Sequence, residues 1–163
     1  GTGVLGSQGV DIIAAYSPQH HEILELKEHY TALNVAASLT PMDRGLIVLG
    51  DLNSRHKDLG CTKQNSTGDT TLKFMKKQHL SRIEAKCDGG LQYTHTSNKR
   101  DDAIKKAEKK GKILKKNWGK TCIDHILVRT LNIRKVASAG IERNIPAKSD
   151  HAIIGCEYTL TTE

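Results

Sequence analysis

Three short acidic segments carry the side chains best suited to chemistry, and the first is Gly50-Asp51-Leu52-Asn53. In an extended backbone, Asp51 and Asn53 point to the same side, because side chains alternate with a period of two. A carboxylate there could accept a proton from water, and a carboxamide could donate to a phosphate oxygen. Taken alone, Asp and Asn beside Gly are also typical of a simple turn.

The other two segments are Ile123-Asp124-His125 and Ser149-Asp150-His151. Histidine titrates near neutrality, so His151 could act as an acid, a base or a phosphate partner. Asp124, at the mouth of a predicted strand, could orient an imidazole and stabilise its charged form. Asp150 could bind a metal. Taken alone, Ser149-Asp150-His151 is better explained as a structural pair, and Ile123-Asp124-His125 as an exposed strand-end charge.

The flanking sequence predicts strands and helices that place all three segments at strand ends, where α/β proteins build their sites. Amphipathic spacing predicts helices over residues 20–39 and 70–79, the second with Leu72, Met75 and His79 on one side. Residues 65–68 are turn-like, and residues 98–118 are charged and helix-permissive. Strands are predicted over residues 10–16 (buried on both faces), 46–49, 82–85, 91–96, 123–128 and 153–160. This order favours an α/β (α+β) layered sandwich without repeats or a second domain.

The net charge of +7 is concentrated in one stretch. Residues 99–120 hold ten Lys or Arg against three acidic residues, which accounts for the whole excess. A polyanionic partner for this stretch and a solvated, Lys-rich loop explain the charge equally well.

The composition of the chain argues against a membrane-spanning helix and against a zinc site. No apolar run approaches the roughly 20 residues that a membrane span needs. The four cysteines are widely spaced and form no Cys-x-x-Cys pair, which argues against a zinc site and for free, mostly buried thiols in an intracellular protein.

Together with their surroundings, the segments resemble the endonuclease/exonuclease/phosphatase superfamily of exonuclease III, DNase I, the apurinic endonucleases and the inositol-polyphosphate phosphatases. The resemblance is carried by Ala15-Tyr16-Ser17-Pro18, Ile47-Val48-Leu49-Gly50-Asp51-Leu52-Asn53-Ser54-Arg55-His56, Gln92-Tyr93-Thr94-His95-Thr96, Ile123-Asp124-His125-Ile126-Leu127-Val128 and Ser149-Asp150-His151. It implies a DNase I-like sandwich of two sheets flanked by helices. It also implies one domain over residues 1–163, incomplete at its N-terminus, with a basic insertion at 98–120.

The resemblance implies hydrolysis of a phosphate ester by in-line attack of water, assisted by Mg²⁺ or Mn²⁺. Asp51 is expected to orient or deprotonate the water, and Asn53 to donate to the phosphate. His151, held by Asp124, is expected to donate to a non-bridging oxygen.

The expected metal-associated acid is Asp150. The family's first strands carry an Asn and the principal Glu ligand, and no acidic residue precedes Val10 here. We therefore expect that this polypeptide alone binds Mg²⁺ weakly and cuts poorly.

Residues 50–84 resemble the endonuclease domains of non-LTR retrotransposons, which implies DNA as substrate and a nuclear location. Lys115, Lys116 and Trp118 are then expected to contact DNA, with Trp118 stacking on a base or else packing at the domain edge. Tyr16 is expected to hydrogen-bond the phosphate. His56 and His95 lie near the motifs and could border the site.

Two other functions remain open. One is a phosphatase of the same fold that acts on inositol phosphates or lipid head groups. The other is a truncated, catalytically weak domain that only binds nucleic acid. None of these functions requires a membrane or an obligate protein partner.

Overall fold

The computed structural model describes residues 9–83, 93–144 and 149–160. The most apolar runs of this part form the strands, and the amphipathic runs form three α-helices. The strands are β1 (Val10–Ala14), β2 (Gly45–Asp51), β3 (Leu80–Arg82), β4 (His95–Thr96), β5 (Lys120–Thr121), β6 (Asp124–Arg129), β7 (Val136–Glu142) and β8 (Ile153–Tyr158). The helices are α1 (Ile23–Ser38), α2 (Ser66–Gln78) and α3 (Arg100–Glu108), with 3-10 turns at Lys57–Leu59 and Thr130–Lys135.

The central sheet has the strand order β1-β2-β6-β3. β1 runs parallel to β2, whereas β6 runs antiparallel to both β2 and β3. Two further pairs are also antiparallel, the short pair of β4 with β5 and the longer pair of β7 with β8.

Helices α1 and α2 cover one face of the central sheet. Leu26, Tyr30, Leu33 and Ala37 of α1 recur at helical spacing and are buried. They share one apolar core with Phe74 of α2 and with Leu46, Val48, Leu80 and Leu127 of the sheet. α1 begins at Ile23 rather than at residue 20, and it ends before Pro41, which cannot continue a helix.

α2 differs from the prediction in its start and in its buried face. The turn-like residues 65–68 include its cap and first turn, since the Asn65 side chain accepts from the backbone N–H of Gly68 at 2.8 Å. Its buried residues are Thr67, Gly68, Thr71, Phe74 and Gln78. The expected face was therefore wrong at His79, which is exposed and ends the helix in a left-handed conformation.

The other face of the central sheet packs against the β7–β8 pair. Ile47, Ile126 and Val128 form a second core there with apolar residues of that pair, among them Ile154 and Tyr158. The molecule is thus layered as helices, sheet and sheet. This arrangement confirms the predicted sandwich, although β7 was not predicted.

Several predicted strands change in extent. β1 is an edge strand with Ile12 and Ala14 exposed on one side, so the expectation that it is buried on both faces was wrong. Residues 84, 85, 91 and 92 of the predicted strands lie outside the described residues. Only nine residues of the charged stretch form a helix, α3, and none of them is buried.

Gly50 allows the end of β1 to approach β2. Its φ of 141° is disfavoured for residues with a side chain, and a Cβ atom there would lie 2.0 Å from the carbonyl oxygen of Ala15. The chain can therefore continue from Ala15 to Ser17, whose N–H donates to the carbonyl of Asp51 at 2.8 Å.

None of the helices in the described ranges is long and apolar enough to cross a membrane.

Candidate active site

The antiparallel register of β2 and β6 brings two acidic residues together. Asp51, the last residue of β2, pairs directly with Asp124, the first residue of β6. Beyond the strands, the N–H of Leu52 still donates to the carbonyl of Ile123 at 3.0 Å. Two carboxylates more than seventy residues apart in sequence are thereby fixed side by side at one edge of the sheet.

His151 joins these two carboxylates from the third segment. Its Nδ1 lies 3.1 and 3.0 Å from the two carboxylate oxygens of Asp124. Its Nε2 lies 4.0 Å from Oδ2 of Asp51. Because Asp124 binds Nδ1, the imidazole is oriented with Nε2 turned toward Asp51, which is the convergence that the three sequence segments predicted.

Backbone hydrogen bonds hold the His151 segment against the β4 region. His95 and His151 form an isolated antiparallel bridge. On either side of it, the N–H of Thr96 donates to Asp150 at 2.8 Å, and that of Ala152 donates to Thr94 at 2.6 Å. The position of His151 is therefore set by main-chain contacts and not only by its own side chain.

Thr94 fixes the start of β6. Its buried hydroxyl oxygen accepts from the backbone N–H groups of Ile123 and Asp124, both at 3.1 Å. The sequence placed Thr94 in a family-like strand but assigned it no role, because a contact over 30 residues leaves no local pattern.

Asn53 turns back toward the site in a left-handed conformation, with φ of 47°. Its backbone N–H donates to Oδ1 of Asp51 at 2.9 Å, and its Nδ2 donates to the carbonyl of Ser17 at 2.7 Å. One Nδ2 hydrogen is thus used to join the end of β1 to the site, and the second remains for another acceptor.

Asp150 forms a separate pair with His95. Its Oδ2 lies 3.3 Å from Nε2 of His95, whose Nδ1 is 3.1 Å from the Thr121 hydroxyl. The rings of His95 and His151 pack edge to face with centroids 4.8 Å apart. His95, which the sequence placed only near the site, therefore links Asp150 to His151.

Burial and charge act on Asp51. Desolvation raises its pKa above the ordinary aspartate value, and the negative charge of Asp124 adds to this increase. The hydrogen bond from the Asn53 N–H and the charge of His151 act in the opposite direction. A cation placed between the two carboxylates would relieve their repulsion.

The site has side chains that could bind a divalent metal. Ligand atoms of Asp51, Asp124 and His151 lie within 4.8 Å of one another, as do those of His95, Asp150 and His151. Carboxylate oxygens are the ligands that Mg²⁺ prefers, and it needs only one or two of them when water and phosphate complete its shell. The donor set therefore fits Mg²⁺ or Mn²⁺, with Asp51 and Asp150 as the acids closest to the open side.

An open groove of about 960 Å³ begins beside this cluster at His95. Its charged lining residues are Arg55, Lys63, Lys115 and Lys120, and no acidic side chain of residues 9–83, 93–144 or 149–160 lines it. Trp118, 39% exposed, also lines the groove.

The turn that carries Lys115, Lys116 and Trp118 is fixed by Arg100. The guanidinium group of Arg100 donates to the carbonyls of Lys116, at 3.2 Å, and Trp118. Lys116 is exposed but is not one of the residues that line the groove.

The two remaining candidate residues are Tyr16 and His56, and only Tyr16 lies at the edge of the site. Tyr16 is next to Ser17 at the edge of the site, and its side chain is 70% exposed. His56 is buried, and its Nδ1 accepts from the N–H of Asp58 at 3.1 Å to cap the 3-10 turn that follows. His56 therefore supports the loop and does not face the carboxylate pair.

The fold is similar to several solved nuclease structures. The endonuclease domain of TRAS1, a telomere-specific non-LTR retrotransposon, gives a TM-score of 0.62 at 13% identity, over 88% of this chain and 55% of that one. The 3'-5' exonuclease NExo from Neisseria meningitidis gives 0.66 at 20% identity, over 94% and 62%. A variant of the 3' phosphatase NExo from Neisseria, bound to a product DNA hairpin, gives 0.66 at 18%, over 92% and 61%. The chain thus has a DNase I-like fold and spans 55% to 62% of the length of these structures.

Comparison of the sequence with protein families identifies the family of the chain. Residues 10–104 match the family described as endonuclease-reverse transcriptase. The chain belongs to this family, within the endonuclease/exonuclease/phosphatase superfamily. No curated protein gives a significant sequence match.

Proposed function

We propose that this chain is the metal-dependent DNA endonuclease domain of a non-LTR retroelement and hydrolyses phosphodiester bonds. The observation that carries the proposal is the position of His151, which binds Asp124 through Nδ1 and directs Nε2 toward Asp51. A structural Asp–His pair would not need a second, partly buried carboxylate on the far side of the ring.

Each residue at this edge of the sheet has a role that its contacts support. Asp51 accepts a proton from the attacking water, because burial and Asp124 favour its protonated form. His151 donates through Nε2 to a non-bridging phosphate oxygen while Asp124 holds its Nδ1. The free hydrogen on Asn53 Nδ2 adds a second donor, and the exposed Tyr16 hydroxyl contacts the phosphate from the β1 side.

When bound, Mg²⁺ or Mn²⁺ neutralises charge on the phosphate and the leaving oxygen. Asp150, whose ligand atoms lie close to those of His95 and His151, would hold it in this chain. Because the principal Glu ligand of the family has no counterpart among these residues, we expect the 163-residue chain to bind Mg²⁺ weakly. Isothermal titration measures this directly, and tight binding would contradict the expectation.

DNA as substrate is supported by the groove and by the relatives. A negatively charged strand that leaves the site past His95 would meet Lys63, Lys115 and Lys120 without an acidic side chain. Trp118 offers a face for stacking, and Lys116, which lies outside the groove lining, makes the weaker contact with phosphate. The TRAS1 domain is an endonuclease of a retrotransposon, and NExo has been seen with DNA. For such an element the site of action is nuclear.

A two-substrate assay tests the proposal. Supercoiled plasmid nicking and phosphate release from inositol phosphates are measured side by side with Mg²⁺ or Mn²⁺. With the metal ion in large excess, to offset its weak binding, we expect slow metal-dependent nicking that falls roughly 100-fold or more in Asp51→Ala, and no phosphate release. The exposed His20→Ala is the matched control and should nick normally.

Two results would contradict the proposal. Phosphate release without nicking would indicate a phosphatase of the same fold. Plasmid binding without metal-dependent nicking would indicate a domain that only binds nucleic acid.

A further inference from the structure

A pair of cysteines lies at the floor of the groove, outside the carboxylate–histidine cluster. Cys61 follows the 3-10 turn Lys57–Leu59, and Cys122 precedes β6 by two residues. Both thiols are free, and both residues line the groove. They come from loops 61 residues apart in sequence, so the fold and not local sequence brings them together.

The two sulfur atoms share the same surroundings. Cys61 Sγ lies 3.7 Å and Cys122 Sγ lies 3.8 Å from the carbonyl oxygen of Leu59. Cys61 Sγ also donates to the carbonyl oxygen of Cys122 at 2.8 Å. The two sulfur atoms are within 4.8 Å of each other. A disulfide has a sulfur–sulfur bond of about 2.0 Å, so closing it requires the two sulfur atoms to move closer together.

Cys61 is the more accessible of the two thiols, and its surroundings favour the reactive thiolate. It is only half-buried, whereas Cys122 is almost fully buried. Gly60 beside it is exposed and left-handed, with φ of 76°. A hydrogen bond from the Cys122 thiol lowers the pKa of Cys61 to about 7, and the positive charges of Arg82 and Arg55 act in the same direction.

We propose that Cys61 and Cys122 form a reversible disulfide when the protein meets a peroxide oxidant. The site goes beyond the endonuclease function and does not depend on it. The Cys61 thiolate attacks one peroxide oxygen, the O–O bond breaks, and a sulfenic acid forms. The hydroxide that leaves takes up the proton that the Cys61 thiol lost and becomes the first water. Cys122 sulfur then attacks the Cys61 sulfur, the S–O bond breaks, and the Cys122 proton leaves with the hydroxyl as a second water. Two thiols and one hydrogen peroxide thus give one disulfide and two waters.

The bond would connect the loop that follows Asn53 to the segment that opens β6. Cys122 is two residues from Asp124, and Cys61 lies between Arg55 and Lys63 on the groove. The oxidised protein therefore carries a covalent link across the floor of the groove.

The test is peptide mapping of the wild-type chain treated with dilute hydrogen peroxide and EDTA, followed by alkylation. We expect a peptide that joins Cys61 to Cys122, a loss of two titratable thiols, and full recovery of both with dithiothreitol. Cys61→Ser should abolish the linked peptide, whereas Cys156→Ser, the control in β8, should retain it.

Two outcomes would overturn the proposal. One is oxidation of Cys61 to sulfinic acid without the linked peptide, and the other is pairing of Cys61 with a different cysteine. The wild-type map needs no variant to fold and no catalysis, so its failure is distinct from failure of the endonuclease assignment.

Discussion

At the residue scale, the chemistry depends on which atom of His151 each carboxylate contacts. Asp124 uses both oxygens on Nδ1, which leaves Nε2 on the side of Asp51, where it donates when both ring nitrogens carry a proton. Asp124 is therefore a positioning residue in this account, and it needs no contact with the phosphate. Thr94 supports it in turn through two backbone N–H groups.

The first prediction concerns Asp124→Asn. We expect nicking to fall by roughly 10²- to 10⁴-fold, because the amide cannot stabilise the imidazole in the same orientation and charge state. The pH profile of the remaining activity should change, which a merely structural loss would not cause. Asp58→Asn, an exposed change outside the cluster, is the control, and equal activity of both variants would refute the role.

The second prediction concerns His125, which is buried in β6 next to Asp124. Desolvation lowers its pKa to about 4, with Arg82 acting in the same direction, while the Ser54 carbonyl and Asp124 oppose the shift. The unfolded chain binds the proton near pH 6.5 and the folded chain does not, so stability falls as the pH drops from about 6.5 toward about 4. The loss approaches roughly 3 kcal/mol, at about 1.4 kcal/mol per pKa unit.

Urea unfolding at several pH values measures this effect. His125→Gln, which cannot take up a proton, should flatten the acid limb of the stability curve. A variant curve parallel to that of the wild type would show that other groups control acid stability.

At the element scale, the ends of the strands position the site. The sequence predicted some of the residues at these ends and missed others. Asp51, Asp124 and His151 were predictable because each lies in a local motif beside an apolar run. Thr94 and the bridge at His95 depend on long-range backbone pairing, which has no local pattern. β7 was not predicted, because its run of small residues becomes a strand only by pairing with β8.

The third prediction concerns the first turn of α2, which was taken for a plain turn. The Asn65 side chain accepts from Gly68 N–H and also from Arg55 N–H, at 2.9 Å, so it joins the helix to the loop after Asn53. Asn65→Ala should lower the free energy of unfolding by about 1–2 kcal/mol. Urea denaturation measures the change, and the exposed Lys73→Ala in the same helix should leave stability nearly unchanged.

At the scale of the whole molecule, four positively charged side chains from distant parts of the chain line one groove. Arg55 and Lys63 come from the loop after β2, whereas Lys115 and Lys120 come from the basic stretch before β6. Two basic segments that are distant in the sequence thus line the same groove. The sequence predicted only the second of these segments, since its ten basic residues fall within residues 99–120.

The fourth prediction compares lysines on and off this groove. Lys63→Ala and Lys115→Ala should each weaken DNA binding and lower the salt slope of the binding constant by about one. Lys116→Ala, next in the chain but outside the groove lining, should have the smaller effect. Fluorescence anisotropy across salt concentrations measures both quantities, and equal losses for Lys115 and Lys116 would place the DNA elsewhere.

The most direct test of the account is a double-mutant cycle on plasmid nicking with Asp124→Asn, His151→Ala and both changes together. If Asp124 acts only by holding His151, the double variant should be no slower than His151→Ala alone, which itself should lose roughly 100-fold or more. Independent losses that multiply in the double variant would contradict a single catalytic unit built from these residues.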